Sequence, residues 1–346
     1  TLFPYTTLFR SGPDKDFDEI LGKIAEDNSV VVLSETTSNL GCSSVSCIDR
    51  VVSTFSDQEA GDFTPGLLVT VGGNVVSKMV KAFLRKNKPA AHWNIDPVDF
   101  AMNTYQCLTD PVRMEPAVFF RELLPYTEKK ESRFKKLWQE RADRSEARHK
   151  TFFDHCDYSD LTVFDKLLRS IPGGSNLHLG NSTPVRYSQL FRPAGKFRYN
   201  SNRGTSGIDG TVSTAAGAAW ITKKPTTLIT GDLGFLYDSN ALMNHHLSGN
   251  LRIIIINNGG GGIFRFIPGP DTTDQLESFF EAKHNWTAKY IARNFDVPYY
   301  YACNMDEMDK LLYEFYKPQE NDRPAILEIQ TPARKNAKIL RGYFDF

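Results

Sequence analysis

Residues 253 to 256 are four isoleucines in a row, inside the run Leu251 to Asn258. A strand that is apolar at every position has no wet face, so it must be covered on both sides. That places it in the middle of a parallel sheet with helices above and below, and excludes a sheet with one solvated face. Shorter strand-like runs recur at Val30 to Leu33, Leu67 to Val71, Ala90 to Pro97, Asn176 to Gly180, Lys196 to Asn202, Thr226 to Asp232 and Ala325 to Thr331. Helical patterns lie between them. Phe17, Ile20, Leu21 and Ile24 fall at helical spacing, and a small-residue helix starts near Ser213. The segment Val75 to Lys88 ends in basic residues before Pro89, as a helix carboxyl end favours. Strands alternating with helices build right-handed βαβ units, so the fold class is α/β with two parallel-sheet domains.

The chain has 346 residues, room for about two domains. Lys plus Arg and Asp plus Glu are 41 each, which excludes a globally basic nucleic-acid binder and an acidic tail protein. No apolar run is long enough for a membrane helix. Cys42, Cys47, Cys107, Cys156 and Cys303 are odd in number and lack a C-x-x-C pair. That pattern argues against a disulfide framework or a zinc site, and for a reducing, cytoplasmic setting.

Residues 12–128 read as one α/β domain, 129–150 as a charged connecting helix, and 151–346 as a second α/β domain. The stretch Glu128 to Lys150 holds nine basic and five acidic residues. Phe134, Leu137 and Trp138 share a helical face there, and Glu131 with Lys135 and Glu140 with Arg144 are spaced as ion pairs. A solvated amphipathic helix follows from this pattern. Gly72-Gly73 reads as turn chemistry, because the three-glycine nucleotide fingerprint is absent. His245-His246 reads as a solvated helix face, since adjacent residues on a helix diverge. Residues 1–11, TLFPYTTLFRS, do not have the order of a signal peptide and resemble a translated sequencing adapter. They are expected to be non-native, with the gene continuing upstream.

In open parallel sheets, ligands bind beyond the carboxyl ends of the strands. Here those ends carry Asn181-Ser182, Gly231-Asp232, and Asn257-Asn258 followed by Gly259 to Gly262. Asp232 and Asn258 are a carboxylate and an amide oxygen at two strand ends, a hard-oxygen pair suited to magnesium with substrate phosphate. The glycines let the backbone approach a bulky anion.

Gly231-Asp232, twenty-four residues and then Asn257-Asn258 resemble the thiamine diphosphate signature, with Leu233 where the family carries glycine. GNSTPVR (180–186), SNRGTSGIDGTVSTAAG (201–217), GDLGFLYDSNAL and NNGGGGIF resemble the 2-succinyl-5-enolpyruvyl-6-hydroxy-3-cyclohexene-1-carboxylate synthase family of menaquinone biosynthesis. The resemblance covers most of 160–331 and, more weakly, the first domain. It implies a central domain followed by a diphosphate-binding domain, with thiamine diphosphate and Mg2+ (or Mn2+) as cofactors. The substrates implied are 2-oxoglutarate, which loses carbon dioxide, and isochorismate, in a homodimer or tetramer. No nucleic-acid or membrane partner is implied.

By motif position, the resemblance assigns Asp232, Asn258 and the Gly260 carbonyl to the metal. It assigns Asn181, Ser182, Gly231, Leu233, Gly234, Gly260 and Gly261 to the cofactor, with Ile208 as the wedge that bends it. Arg186 and Arg203 match carboxylate-holding residues, a task that suits the planar guanidinium. Ser182, Ile263 and Phe264 line the substrate pocket, and Lys78 aligns with a lysine near the acceptor. The activating glutamate of the family belongs to a pyrimidine-binding domain that no segment here resembles. So the expectation is a chain that holds cofactor weakly and turns nothing over by itself.

Overall fold

The computed structural model describes residues 5–6, 15–41, 44–98, 102–267, 269–318 and 322–345. Cys42 and most of the adapter-like residues 1–11 lie outside them. Two compact units are present: Thr1–Thr151 with Gln189–Pro193, and Phe152–Ser188 with Ala194–Phe346. Among the described residues, no helix is long and apolar enough to cross a membrane, and Cys47, Cys107, Cys156 and Cys303 are free thiols.

In the first unit β1 (Tyr5–Thr6), β2 (Leu67–Gly72), β3 (Ala91–Asp96) and β4 (Asp110–Arg113) form a parallel sheet in that order. On one face Phe17, Ile20, Leu21 and Ile24 of the helix Lys15–Ile24 pack with Val69, Val71, Ile95 and Phe120. On the other, Val80, Phe83 and Leu84 of the helix Lys78–Lys86 pack with Leu68 and Trp138. Val30 to Leu33 is not the expected ladder strand. Its side chains alternate between the two clusters, but among the described residues its only bridge is Leu33 to Val45. Val71 and Gly72 of β2 pair with Tyr5 and Thr6 instead.

The polar segment after Leu33 is buried rather than a solvated loop. Glu35 accepts the backbone N–H groups of Val76 (3.0 Å) and Ser77 (2.7 Å). Its burial pushes the carboxyl up, against those two hydrogen bonds. Ser77 caps the next helix by accepting from Val80 N at 3.0 Å, and its hydroxyl donates to Asp49. Ser77→Ala removes both bonds from a buried position and is expected to cost about 1–2 kcal/mol. A lower urea midpoint with an unchanged slope checks it; an unmoved midpoint contradicts it.

The charged helix runs over Phe134–Phe153, and one face of it is core, not solvated. Trp138 is fully buried. Arg141 bonds Glu59 (2.7 Å) and the Thr54 carbonyl (2.7 Å) and lies over the Phe63 ring. That contact holds the Glu59 carboxyl down at about 2. Lys135 does not pair with Glu131 as spacing suggested; its ammonium donates to the carbonyls of Ala25 and Glu26. Helix-end carbonyls within reach offer an alternative to an exposed ion pair, which is worth little.

In the second unit β5 (Asn176–Leu179), β6 (Arg198–Ser201), β7 (Thr226–Gly231), β8 (Leu251–Asn257), β9 (Tyr299–Ala302) and β10 (Ala325–Gln330) are all parallel, in the order β6-β5-β7-β8-β10-β9. The four isoleucines are buried on β8 as expected. Ile254 sits between Ile229 and Leu327. Ile253 and Ile255 face Val212, Ala215, Ala216 and Ala219 of the helix Thr211–Thr222, whose small side chains let it lie close to the sheet. Three edge strands, β1, β4 and β9, were not read from sequence. β4 is polar and carries Pro111, and β9 is three tyrosines and an alanine, half exposed.

Candidate functional site

The chain leaves β5 towards β6 on one side and then crosses back to β7 on the other. That reversal opens a crevice at the carboxyl ends of β5 and β7, where a doubly wound sheet takes its ligand. A Cβ added at Gly180 would stand 2.9 Å from Thr230 Oγ1, and one at Gly234 would stand 2.9 Å from the same atom and 3.3 Å from the Ile208 carbonyl. Two glycines therefore let the loops after β5 and β7 close on each other, with the Ile208 loop against them.

Asn181, 4% exposed, ties this together. Its Nδ2 donates to the carbonyls of Asn202 (2.6 Å) and Gly207 (2.5 Å), and its Oδ1 accepts from Arg203 Nη1 at 2.6 Å. Asn181 is thus spent on the protein, fixing the buried Arg203. Ser182 follows in a left-handed conformation (φ 72°). Arg186 is half-buried on the next helix, Thr183–Ser188.

Asp232 begins the helix Asp232–Tyr237 after β7 and is 5% exposed. Its Oδ2 accepts the N–H groups of Gly259 (2.9 Å) and Gly260 (3.0 Å), and Oδ1 accepts from Leu233 N (2.7 Å). His284 Nε2 lies 3.3 Å from the same carboxylate. His284 Nδ1 accepts from Trp286 N (3.1 Å), so the ring presents its proton on Nε2.

The two asparagines after β8 divide. Asn257 turns inward, its Nδ2 donating to Glu328 (2.5 Å) and to the Trp286 carbonyl (2.9 Å). Asn258 Nδ2 lies 3.4 Å from Asp160 Oδ2, while its Oδ1 is buried without a hydrogen-bond partner. Burial pushes the Asp160 carboxyl up to about 6, against hydrogen bonds from Thr331 and Asn258 that hold it down.

Gly260 takes a conformation open only to glycine (φ 144°), and its carbonyl accepts from Gly262 N at 2.9 Å, which leaves a second lone pair. A buried carboxylate, an unpartnered buried amide oxygen and a backbone carbonyl form a donor set that fits a hard divalent cation. Among the described residues no cluster of three His, Cys, Asp or Glu offers another metal site.

Gly261 lies against Phe264, and Phe264 meets Phe280 at 5.7 Å between ring centres. Ile263 and Phe264 are half-buried on the turn Gly262–Arg265. Lys78 belongs to the first unit, where it is exposed at the start of the helix Lys78–Lys86. His245 and His246 are exposed as expected, on a turn rather than a helix, with the His246 ring 4.7 Å from Trp220. Sequence reasoning missed His284 and Asp160. Both reach the site through contacts between distant segments, which no local pattern announces.

No family model matches the chain. The 2-succinyl-5-enolpyruvyl-6-hydroxy-3-cyclohexene-1-carboxylate synthase of Flavobacterium johnsoniae is 42% identical to it over 328 residues, 94% of this chain and 59% of that protein. The synthase of the same name from Flavobacterium psychrophilum is 41% identical over 327 residues, 94% of this chain and 58% of the relative. That from Porphyromonas gingivalis is 38% identical over 347 residues, 96% and 59%. The chain therefore spans 58–59% of the length of these relatives. Over the part that it spans, the chain belongs to the family of 2-succinyl-5-enolpyruvyl-6-hydroxy-3-cyclohexene-1-carboxylate synthases.

Proposed function

We propose that this chain supplies the metal- and diphosphate-holding part of a thiamine diphosphate-dependent synthase. The enzyme would join 2-oxoglutarate, with loss of carbon dioxide, to isochorismate in menaquinone biosynthesis, as a cytoplasmic homodimer or larger assembly. The observation that carries the reading is the unpartnered Asn258 Oδ1 beside the buried Asp232, at the ends of adjacent strands. A buried acceptor without a donor costs about 1–3 kcal/mol, and a cation removes that cost.

In this reading Asp232, Asn258 and the Gly260 carbonyl hold Mg2+ or Mn2+. The backbone and side chains of Ser182, Gly231, Leu233, Gly234 and Gly261 surround the diphosphate, and Asn181 braces that loop. Ile208 supports the cofactor against Gly234. When bound, the cofactor supplies an electron sink for the bond that releases carbon dioxide. Arg203, oriented by Asn181, and Arg186 bind substrate carboxylates as planar forks. Ile263 and Phe264 exclude water, which strengthens every charge interaction inside the site.

Manganese-dependent binding of thiamine diphosphate tests this, followed through the Mn2+ electron spin resonance signal. The 346-residue chain is expected to bind the pair weakly, and neither component alone to the same extent. Binding that ignores the metal contradicts the reading. The same chain is expected to release no carbon dioxide from 2-oxoglutarate, because the resemblance places the activating glutamate in a domain that no segment here resembles. Measurable release by the purified chain overturns that expectation.

A further inference from the structure

We propose that Asp160 is a positioning residue that decides which end of the Asn258 amide faces the cation. The inference rests on reading Asp232 and Asn258 as metal ligands. An asparagine side chain has two ends of similar shape and opposite chemistry, and only the oxygen binds a cation. Something must hold the NH2 end away.

Asp160 is placed to do this. It opens the helix Asp160–Ser170, lies 98 residues before Asn258 and is 1% exposed. One carboxylate oxygen meets Asn258 Nδ2 at 3.4 Å. The other accepts from Thr331 Oγ1 at 2.6 Å. Asn336 Oδ1 accepts from Asp160 N at 2.9 Å, and Asn336 Nδ2 donates to Thr331 Oγ1 at 3.1 Å. Asp160, Thr331 and Asn336 thus close a buried ring of hydrogen bonds that leaves the carboxylate no freedom to turn.

A carboxylate only accepts. Facing it, Asn258 must present NH2; the flipped amide would set two oxygens against each other in a buried place. At 3.4 Å the bond is long, so the selectivity lies in the sign of the charge rather than in bond strength. The freed Oδ1 is buried without a hydrogen-bond partner. Gly262 leaves the amide its room, since a Cβ there would stand 3.0 Å from Asn258 Nδ2. The ring links the carboxyl-terminal helix Ala333–Asp345, through Asn336, to a metal ligand.

The test compares Mn2+–thiamine diphosphate binding in the wild-type chain, Asp160→Leu, Asp160→Asn and Asp232→Ala. Asp160→Leu removes the acceptor and is expected to weaken binding about tenfold or more, the range for residues that orient metal ligands. Asp160→Asn keeps an oxygen for Asn258 and an NH2 for Thr331 Oγ1, so it is expected to stay within about threefold of wild type. Wild-type affinity in Asp160→Leu, or equal loss in both variants, overturns the proposal. If Asp232→Ala also binds normally, the metal-site reading itself has failed; if it alone loses binding, only the role of Asp160 has.

A second measurement covers the case in which the leucine variant does not fold. The side-chain amide resonance of Asn258 in the wild-type chain, identified by its loss in Asn258→Ala, is expected to exchange slowly with solvent. Exchange as fast as that of an exposed asparagine overturns the proposal.

Discussion

Asp232→Ala is expected to abolish manganese-dependent binding of thiamine diphosphate. Two effects act together. The substitution removes the only carboxylate in the proposed donor set, and a hard cation beside a polyanionic ligand depends on that charge. It also removes the acceptor for Gly259 N and Gly260 N, the bonds that hold the glycine loop to the end of β7. A loss of about 100-fold or more, near 2.7 kcal/mol, is expected. Asp232→Asn separates the two effects, because an amide oxygen can still accept from the glycines but carries no charge. It is expected to keep the loop and still lose most of the metal-dependent binding. Near-wild-type binding in both variants would remove Asp232 from the metal site.

Much of this arrangement was legible because parallel strands buried on both faces leave a plain signal. The isoleucines of β8 and the polar residues just past Gly180, Gly231 and Asn257 mark the strand ends where a ligand site forms. The edge strands Asp110–Arg113 and Tyr299–Ala302 were not legible, since each is paired on one side only and needs no apolar run. Val30 to Leu33 misled in the opposite direction: its alternating burial is real, but a ladder needs a free neighbour. The ligand residues could be named from their strand-end positions, whereas their supports could not. Asp160 and Thr331 lie 171 residues apart in sequence, and Asp232 and His284 meet only because β7 and β8 end side by side.

Gly260→Ala is the second large effect expected. The residue sits at φ 144°, a region essentially closed to L side chains, and a Cβ there would fall inside contact distance of the Glu281 carbonyl oxygen. Glu281 is not free to yield. Glu281 is 1% exposed, its N–H bonds Leu276 O at 2.8 Å, and its carboxylate is gripped by Arg265 at 2.5 and 2.6 Å. The strain of about 1–3 kcal/mol must therefore be relieved by Gly260 itself. Its N–H then leaves Asp232, and its carbonyl leaves the donor set. Binding of Mn2+ with thiamine diphosphate is expected to fall about 100-fold, with circular dichroism unchanged, because the loop lies outside the sheet core. Gly261→Ala supplies the contrast. Gly261 carries no positive φ among its neighbours' strained set, and its added Cβ would chiefly meet the Phe264 ring at 3.0 Å, a side chain that can rotate. A loss below about tenfold is expected there. Equal losses at the two positions would show that the glycines serve loop mobility rather than the backbone geometry that brings the Gly260 carbonyl to a cation.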